Sequence, residues 1–199
     1  MITKLLKVSK NEIIDVTQDT QFVLVPTDYF SEESFKLDFL FEKSGVTAEL
    51  LMVYALPVKG KLNITTTTIH KVPHTSCLTK VRGVLRDGST SNYVGKIIID
   101  KPAWQTSSFL EDNVLVVGKD TKNNSQPILM IDADDVKASH GATTGRINEE
   151  DIYYLTSRAL SRNEAEKLIV EGFFAELTEE IKDEVIKKEV LKNLGEVEF

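Results

Sequence analysis

Three histidines, one cysteine and a dense run of acids and hydroxyls are the side chains of this 199-residue chain best suited to chemistry. His70, His74 and Cys77 lie close together. His140 sits in the run Asp132-Ala133-Asp134-Asp135-Val136-Lys137-Ala138-Ser139-His140-Gly141-Ala142-Thr143-Thr144-Gly145, between a strand-like segment and a helix-like one. Together the four supply the nitrogen and sulfur ligands that zinc or iron accepts. A single cysteine cannot hold an iron–sulfur cluster of the four-thiolate kind, so any cluster here needs ligands from a second chain or non-cysteine ligands. A neighbouring imidazole can activate a thiol, but the spacing of His70, His74 and Cys77 matches no protease arrangement. A lone cysteine on a strand otherwise packs as a small hydrophobe.

Other chemistries fail on spacing. Asp132 to Asp135 offers hard oxygens, yet an EF-hand loop needs glycine where Lys137 stands and a ligand where Val136 stands, so a charged turn is the better reading. Gly88 and Gly95-Lys96-Ile97 are too far apart for a phosphate-binding loop, and Ile97 occupies the place of the magnesium-binding hydroxyl. No bound nucleotide is expected. No Gly-x-Ser-x-Gly elbow is present. The sequons Asn63-Ile64-Thr65 and Asn123-Asn124-Ser125 carry little meaning without a secretory signal.

The elements that must position these residues fall into two groups. Phe22–Val25, Phe35–Phe41, Leu50–Ala55, the β-branched Ile64–Ile69, Val81–Leu85, Tyr93–Ile99, Val114–Val117 and Ile128–Ile131 read as strands. Arg86-Asp87-Gly88-Ser89, Asp100-Lys101-Pro102 and Lys122-Asn123-Asn124-Ser125 read as turns between them. Many short strands suit a sandwich, a barrel or a β-solenoid, and no fixed-length repeat decides among these. After residue 147 the period becomes helical. Asn148 caps a helix whose first turn is Glu149, Glu150 and Asp151. Ser161 and Glu164 form a capping box ahead of Ala165, Leu168, Ile169 and Phe173. Thr178 is the expected cap of a third helix ending at Leu194, with Gly195 as its stop. The expected division is a β core over 1–147 and a helical unit over 148–199.

Composition bounds the class. Hydrophobic residues are 41% and charged residues 28%, as in ordinary globular domains. The net charge of −7 is carried by residues 148–199, which hold 14 acids and 7 bases, while the rest is balanced. A nucleic-acid surface would need a concentrated basic face, so no nucleic acid is expected. No apolar run is long enough for a membrane span. The short apolar start and the lone cysteine predict a cytoplasmic protein.

From about His70 onward the chain resembles the SufB/SufD family of the SUF iron–sulfur cluster assembly system. The carrying residues are His70-Lys71-Val72-Pro73-His74-Thr75-Ser76-Cys77, Arg82-Gly83-Val84-Leu85, Gly95-Lys96-Ile97, Gln105-Thr106 and Asn113-Val114-Leu115. The most specific block runs from Pro127 to Phe173, with Asp134-Asp135-Val136-Lys137, Ser139-His140-Gly141-Ala142-Thr143, Tyr154-Leu155, Ser157-Arg158, Glu164-Ala165 and Gly172-Phe173. The resemblance implies a right-handed parallel β-helix followed by C-terminal helices. It implies pairing through the β-helix with a SufB-like partner or with itself, and docking of a SufC-like ABC ATPase on residues 148–177.

It implies no enzyme activity of its own, but a subunit, closer to SufD in role, that shares iron or a transient iron–sulfur cluster with a partner chain. His140 falls on the histidine near the pairing interface and is the expected cluster or iron contact, with Cys77 and His70 as further candidate metal ligands. Ala138 stands where SufD-like sequences often have cysteine, and no cysteine accompanies Asp112 and Asn113 where SufB offers one. Two other readings stay open. One is an interaction module that keeps the fold without metal chemistry. The other is a small metal-dependent enzyme using His70, His74 and His140.

Overall fold

The computed structural model describes residues 1–195; the last four positions of the expected helical unit, 196–199, lie outside the described residues. Eleven strands precede three helices: β1 (Ile2–Val8), β2 (Glu12–Asp15), β3 (Thr20–Pro26), β4 (Phe35–Phe41), β5 (Thr47–Leu56), β6 (Lys61–His70), β7 (Ser76–Leu85), β8 (Thr90–Ile99), β9 (Thr106–Val116), β10 (Lys122–Ile131), β11 (Val136–Arg146), α1 (Glu149–Thr156), α2 (Arg162–Thr178) and α3 (Glu184–Gly195). Odd strands form one sheet in the order β1-β3-β5-β7-β9-β11, and even strands form the other, from β2 to β10. The pairings are parallel. The chain is thus a parallel β-solenoid of about five turns with C-terminal helices, and the stacked coils share one interior.

Burial explains why some strands read clearly and others did not. β8 alternates regularly because its inward residues Ser91, Tyr93, Gly95, Ile97 and Ile99 are buried and its outer ones half-exposed. β5 reads as an unbroken apolar run because both its faces are covered, as parallel strands under helices require. Its inward Leu50, Met52, Tyr54 and Leu56 join the solenoid core. Its outward Leu51, Val53 and Ala55 join Val170, Phe174, Leu177, Val190 and Leu194 of the helices. Polar bonds add to that apolar seam. The buried Gln21 donates to Glu49 Oε2 (2.7 Å) and to the Glu180 carbonyl (2.9 Å), and its Oε1 accepts from the Lys182 backbone N–H (2.9 Å).

The repeat missing from the sequence is present in the backbone. Thr47 pairs with Ser76 and Ser76 with Ser107, a coil of about 30 residues. Two corners of the coil are in the left-handed region. Gly45 (φ +78°), His74 (φ +58°) and Gln105 (φ +53°) stack at one; Lys59 (φ +61°), Gly88 (φ +67°) and Asp120 (φ +53°) stack at the other. Glycine occupies one position in each column, so the conformation recurs while its usual sequence marker does not.

The helical caps follow the expected chemistry at two ends of three. Asn148 accepts from the Glu150 backbone N–H (3.0 Å), and Ser161 and Glu164 make the reciprocal capping box. Thr178 does not cap α3: it is the last residue of α2, and Asp183 instead accepts from the Val185 and Ile186 backbone N–H groups (2.9 and 3.0 Å). The shift follows from the apolar residues Leu177 and Ile181, which hold the α2 end and the following turn against the sheet.

Candidate functional site

The polar run from Asp132 to Gly145 contains a turn and most of a regular strand. Asp132 to Asp135 is the turn expected, but Val136–Arg146 is a full strand. Its glycine, alanine and hydroxyl residues hide it from an apolar-pattern reading, and its position explains them. β11 is the edge of its sheet and β10 the edge of the other, so among the described residues no further coil stacks on the last one. Most of β11 is consequently exposed. Its unpaired edge is the kind that another chain can extend.

In-register parallel partners face the same way. Ala138, His140, Ala142 and Thr144 therefore continue the inward column of Ser108, Leu110, Asp112 and Val114 on β9. His140 is exposed at this open end, beside Leu110. Opposite it, β10 turns Asn123, Ser125, Pro127 and Leu129 inward, in register with the buried Ser91, Tyr93, Gly95 and Ile97.

Sequence reasoning missed the charged member of this end. Asp112 is fully buried, and its Oδ2 accepts a short hydrogen bond from the Ser125 hydroxyl. Among the described residues its Oδ1 has no donor, and neither does Asn123 Oδ1, although the Asn123 amide donates to Thr144 Oγ1 (2.8 Å). Burial pushes the Asp112 carboxyl up to about 6, against the opposing pull of the Ser125 bond and the Arg82 guanidinium. The available signal was an acid at an inward position of the alternation Ser108, Leu110, Asp112, Val114.

The other candidates lie elsewhere. His70 is fully buried and stacks on Phe41, ring centroids 4.3 Å apart. Its Nδ1 faces Thr75 Oγ1 (2.8 Å) and its Nε2 faces Ser108 Oγ (3.2 Å). Both ring nitrogens are engaged, and burial lowers the imidazole to about 4. Cys77 is buried in the same core, its thiol pushed up to about 12 by burial, which disfavours the thiolate a metal needs. His74 sits at a coil corner with its ring edge-on to Trp104, 4.5 Å between centroids. Among the described residues, no three His, Cys, Asp or Glu side chains converge as a metal-holding group. The geometry expected of a metal site built from His70, His74 and His140 within one chain, or from His70, Cys77 and His140, is therefore not formed.

The helical unit presents a second surface. Arg162 grips Glu149 through two bonds (3.0 and 2.6 Å), tying α2 to α1. Tyr153 and Tyr154 of α1 are exposed, and the Arg158 guanidinium lies 4.5 Å from the Tyr154 ring centroid. Beneath α2, the buried Arg82 of β7 meets Glu111 of β9 (2.9 Å), Glu176 (3.5 Å) and the Phe173 ring (5.7 Å). Among the described residues, no helix is long and apolar enough to cross a membrane.

Comparison with known proteins agrees with this architecture. The family described as "SUF system FeS cluster assembly, SufBD core domain" matches residues 27–173. The chain is similar to the iron-sulfur cluster assembly protein SufD of Escherichia coli, 36% identical over 143 residues, 71% of this chain and 34% of that protein. It is also similar to the SufD of Bacillus subtilis, 34% identical over 129 residues, 65% of this chain and 30% of that protein. The chain spans about a third of the length of these relatives.

Proposed function

The chain belongs to the SufBD core family of the SUF iron–sulfur cluster assembly system, and on that premise we propose that it serves as a SufD-like scaffold subunit rather than as an enzyme. The observation that carries the reading is the open last coil. Two edge strands there, each paired on one side only, frame an exposed His140, the arrangement expected of a surface that pairs with a second β-solenoid. A SufB-like chain, or a second copy, covers this end. His140 then meets iron or the nascent cluster as cargo shared between the two chains. A cysteine-bearing partner supplies the thiolates, since Cys77 is buried and protonated.

Residues 148–177 are the proposed dock for a SufC-like ATPase, which supplies the nucleotide chemistry this chain lacks the motif for. The exposed Tyr153 and Tyr154 give that surface aromatic anchors of the type interfaces favour. Such a complex works in the cytoplasm.

Two measurements test the proposal. Co-expression with a SufC-type ATPase from the same source is expected to give a stable complex that a Tyr153→Ala, Tyr154→Ala variant weakens. Failure with every such ATPase refutes the docking role. In the assembled complex, His140→Ala is expected to depress cluster formation. Unchanged cluster formation would favour the second reading, an interaction module that keeps fold and docking without metal chemistry.

A further inference from the structure

The last coil holds more than His140. Four polar side chains occupy neighbouring inward positions there. Asn123 and Ser125 are two residues apart on β10; Asp112 of β9 bonds Ser125; Thr144 of β11 bonds Asn123. Ser125 and Asn123 are successive inward positions of β10, so the Asp112–Ser125 and Asn123–Thr144 pairs occupy adjoining rungs of the same inward face.

The pattern of bonds is unusual. The Ser125 hydroxyl fixes one carboxylate oxygen and leaves Asp112 Oδ1 without a donor. Thr144 takes the Asn123 amide N–H and leaves Asn123 Oδ1 without a donor. Two buried acceptors with no proton to share are costly in isolation. A cation satisfies both at once. The residue beside Asp112 on β11 is Ala142, small and exposed, and Thr144 beyond it is also exposed. An ion can therefore enter from the open end and keep several waters.

We propose that Asp112 Oδ1, Asn123 Oδ1 and Thr144 Oγ1 form a divalent-cation site inside the last coil, with Ser125 positioning the carboxylate. The ligands are oxygens, which suit manganese, magnesium and ferrous iron rather than copper or zinc. Assigning ferrous iron as the physiological ion rests on the cluster-assembly reading; the site itself rests only on this chain. It lies on the same inward column as His140, so iron held here would sit next to the surface where a cluster is shared.

The test uses the full chain after chelator treatment and dialysis. Titration with Mn²⁺ followed by electron paramagnetic resonance is expected to give one saturable site per chain. Anaerobic Fe²⁺ should displace the Mn²⁺, and the midpoint of thermal unfolding should rise with Mn²⁺. Asp112→Asn is close in shape and should stay folded while weakening Mn²⁺ binding at least tenfold. Asn123→Ala should weaken it in the same direction and serves as the second variant. Absence of saturable Mn²⁺ binding overturns the site, as does binding unchanged in folded Asp112→Asn or Asn123→Ala. Mn²⁺ bound but not displaced by Fe²⁺ overturns the iron assignment. None of these results alters whether the chain assembles with an ATPase, so failure here and failure of the scaffold reading are distinguishable.

Discussion

Two buried titratable groups with opposite sign make the acid response of this protein a quantitative test. His70 and Asp112 are both fully buried. The His70 imidazole is lowered from 6.5 to about 4, so between those values the unfolded chain binds the extra proton and stability falls with acid. Asp112 is raised from 3.8 to about 6, so across that interval the folded chain binds the extra proton and stability rises with acid. Each gap is worth about 3 kcal/mol at 1.36 kcal/mol per pKa unit. The two slopes overlap between pH 4 and 6 and nearly cancel in the wild-type chain. Asp112→Asn removes one slope and His70→Gln the other. Denaturant unfolding from pH 4 to 7, with chelator present, reads out both. The stability of Asp112→Asn relative to wild type should increase by about 3 kcal/mol from pH 4 to 7. That of His70→Gln should decrease by about the same amount. Other carboxylates are common to all three proteins and drop out of the differences. A pH-independent difference for either variant would refute the claim that burial controls that group.

The core, the corners and the helix seam give further predictions. A Cβ at Gly83 would lie 2.3 Å from Tyr54 Cζ, so Gly83→Ala should cost about 1–3 kcal/mol by overpacking, and Tyr54→Leu in the same chain should recover part of that loss in chemical denaturation. Gln105→Gly and Asp120→Gly relieve positive φ at exposed corners and should each be stabilising or neutral, within about 1 kcal/mol, whereas Gly88→Ala should be destabilising by a similar amount in the same assay. Gln21→Ala leaves the Glu180 carbonyl and the Lys182 N–H without their partner and should cost about 2 kcal/mol, with faster amide hydrogen exchange between α2 and α3.

How much of this was legible depended on which faces each segment buries. β8 and β4 have one solvated face, so their alternation was readable, and the capped starts of α1 and α2 were readable from Asn148 and from Ser161 with Glu164. The solenoid period was not, because the coil is held by corner conformation and in-register hydrogen bonds. Gln105 and Gly45 occupy the same corner and share no chemistry. β11 escaped for the opposite reason: it packs against one neighbour only and faces water elsewhere, so nothing selects apolar residues there. His70 looked like a ligand because a sequence cannot say that Thr75 and Ser108 stand at both its nitrogens. Asp112 was passed over because an isolated acid in a strand-like run is usually solvated, although the alternation of β9 places it on the buried face with Ser108, Leu110 and Val114.

Strand register explains why polar chemistry collects at one end of the solenoid. Toward the middle, each inward position is covered by coils on both sides, and polar residues there are matched in pairs, Tyr54 with Ser91 (3.0 Å) and Tyr93 with Thr66 (2.7 Å). An unmatched carboxylate in that interior would carry the full desolvation cost. Near the open end β9 still lies between β7 and β11, so Asp112 is covered on both sides and burial raises its carboxyl, whereas His140 on the edge strand β11 is exposed. A hydrophobic residue at the buried Asp112 position would avoid that desolvation cost. Around His140 the edge strand exposes only the small Ser139, Gly141 and Ala142, so its free backbone edge and the imidazole are the groups it offers to solvent.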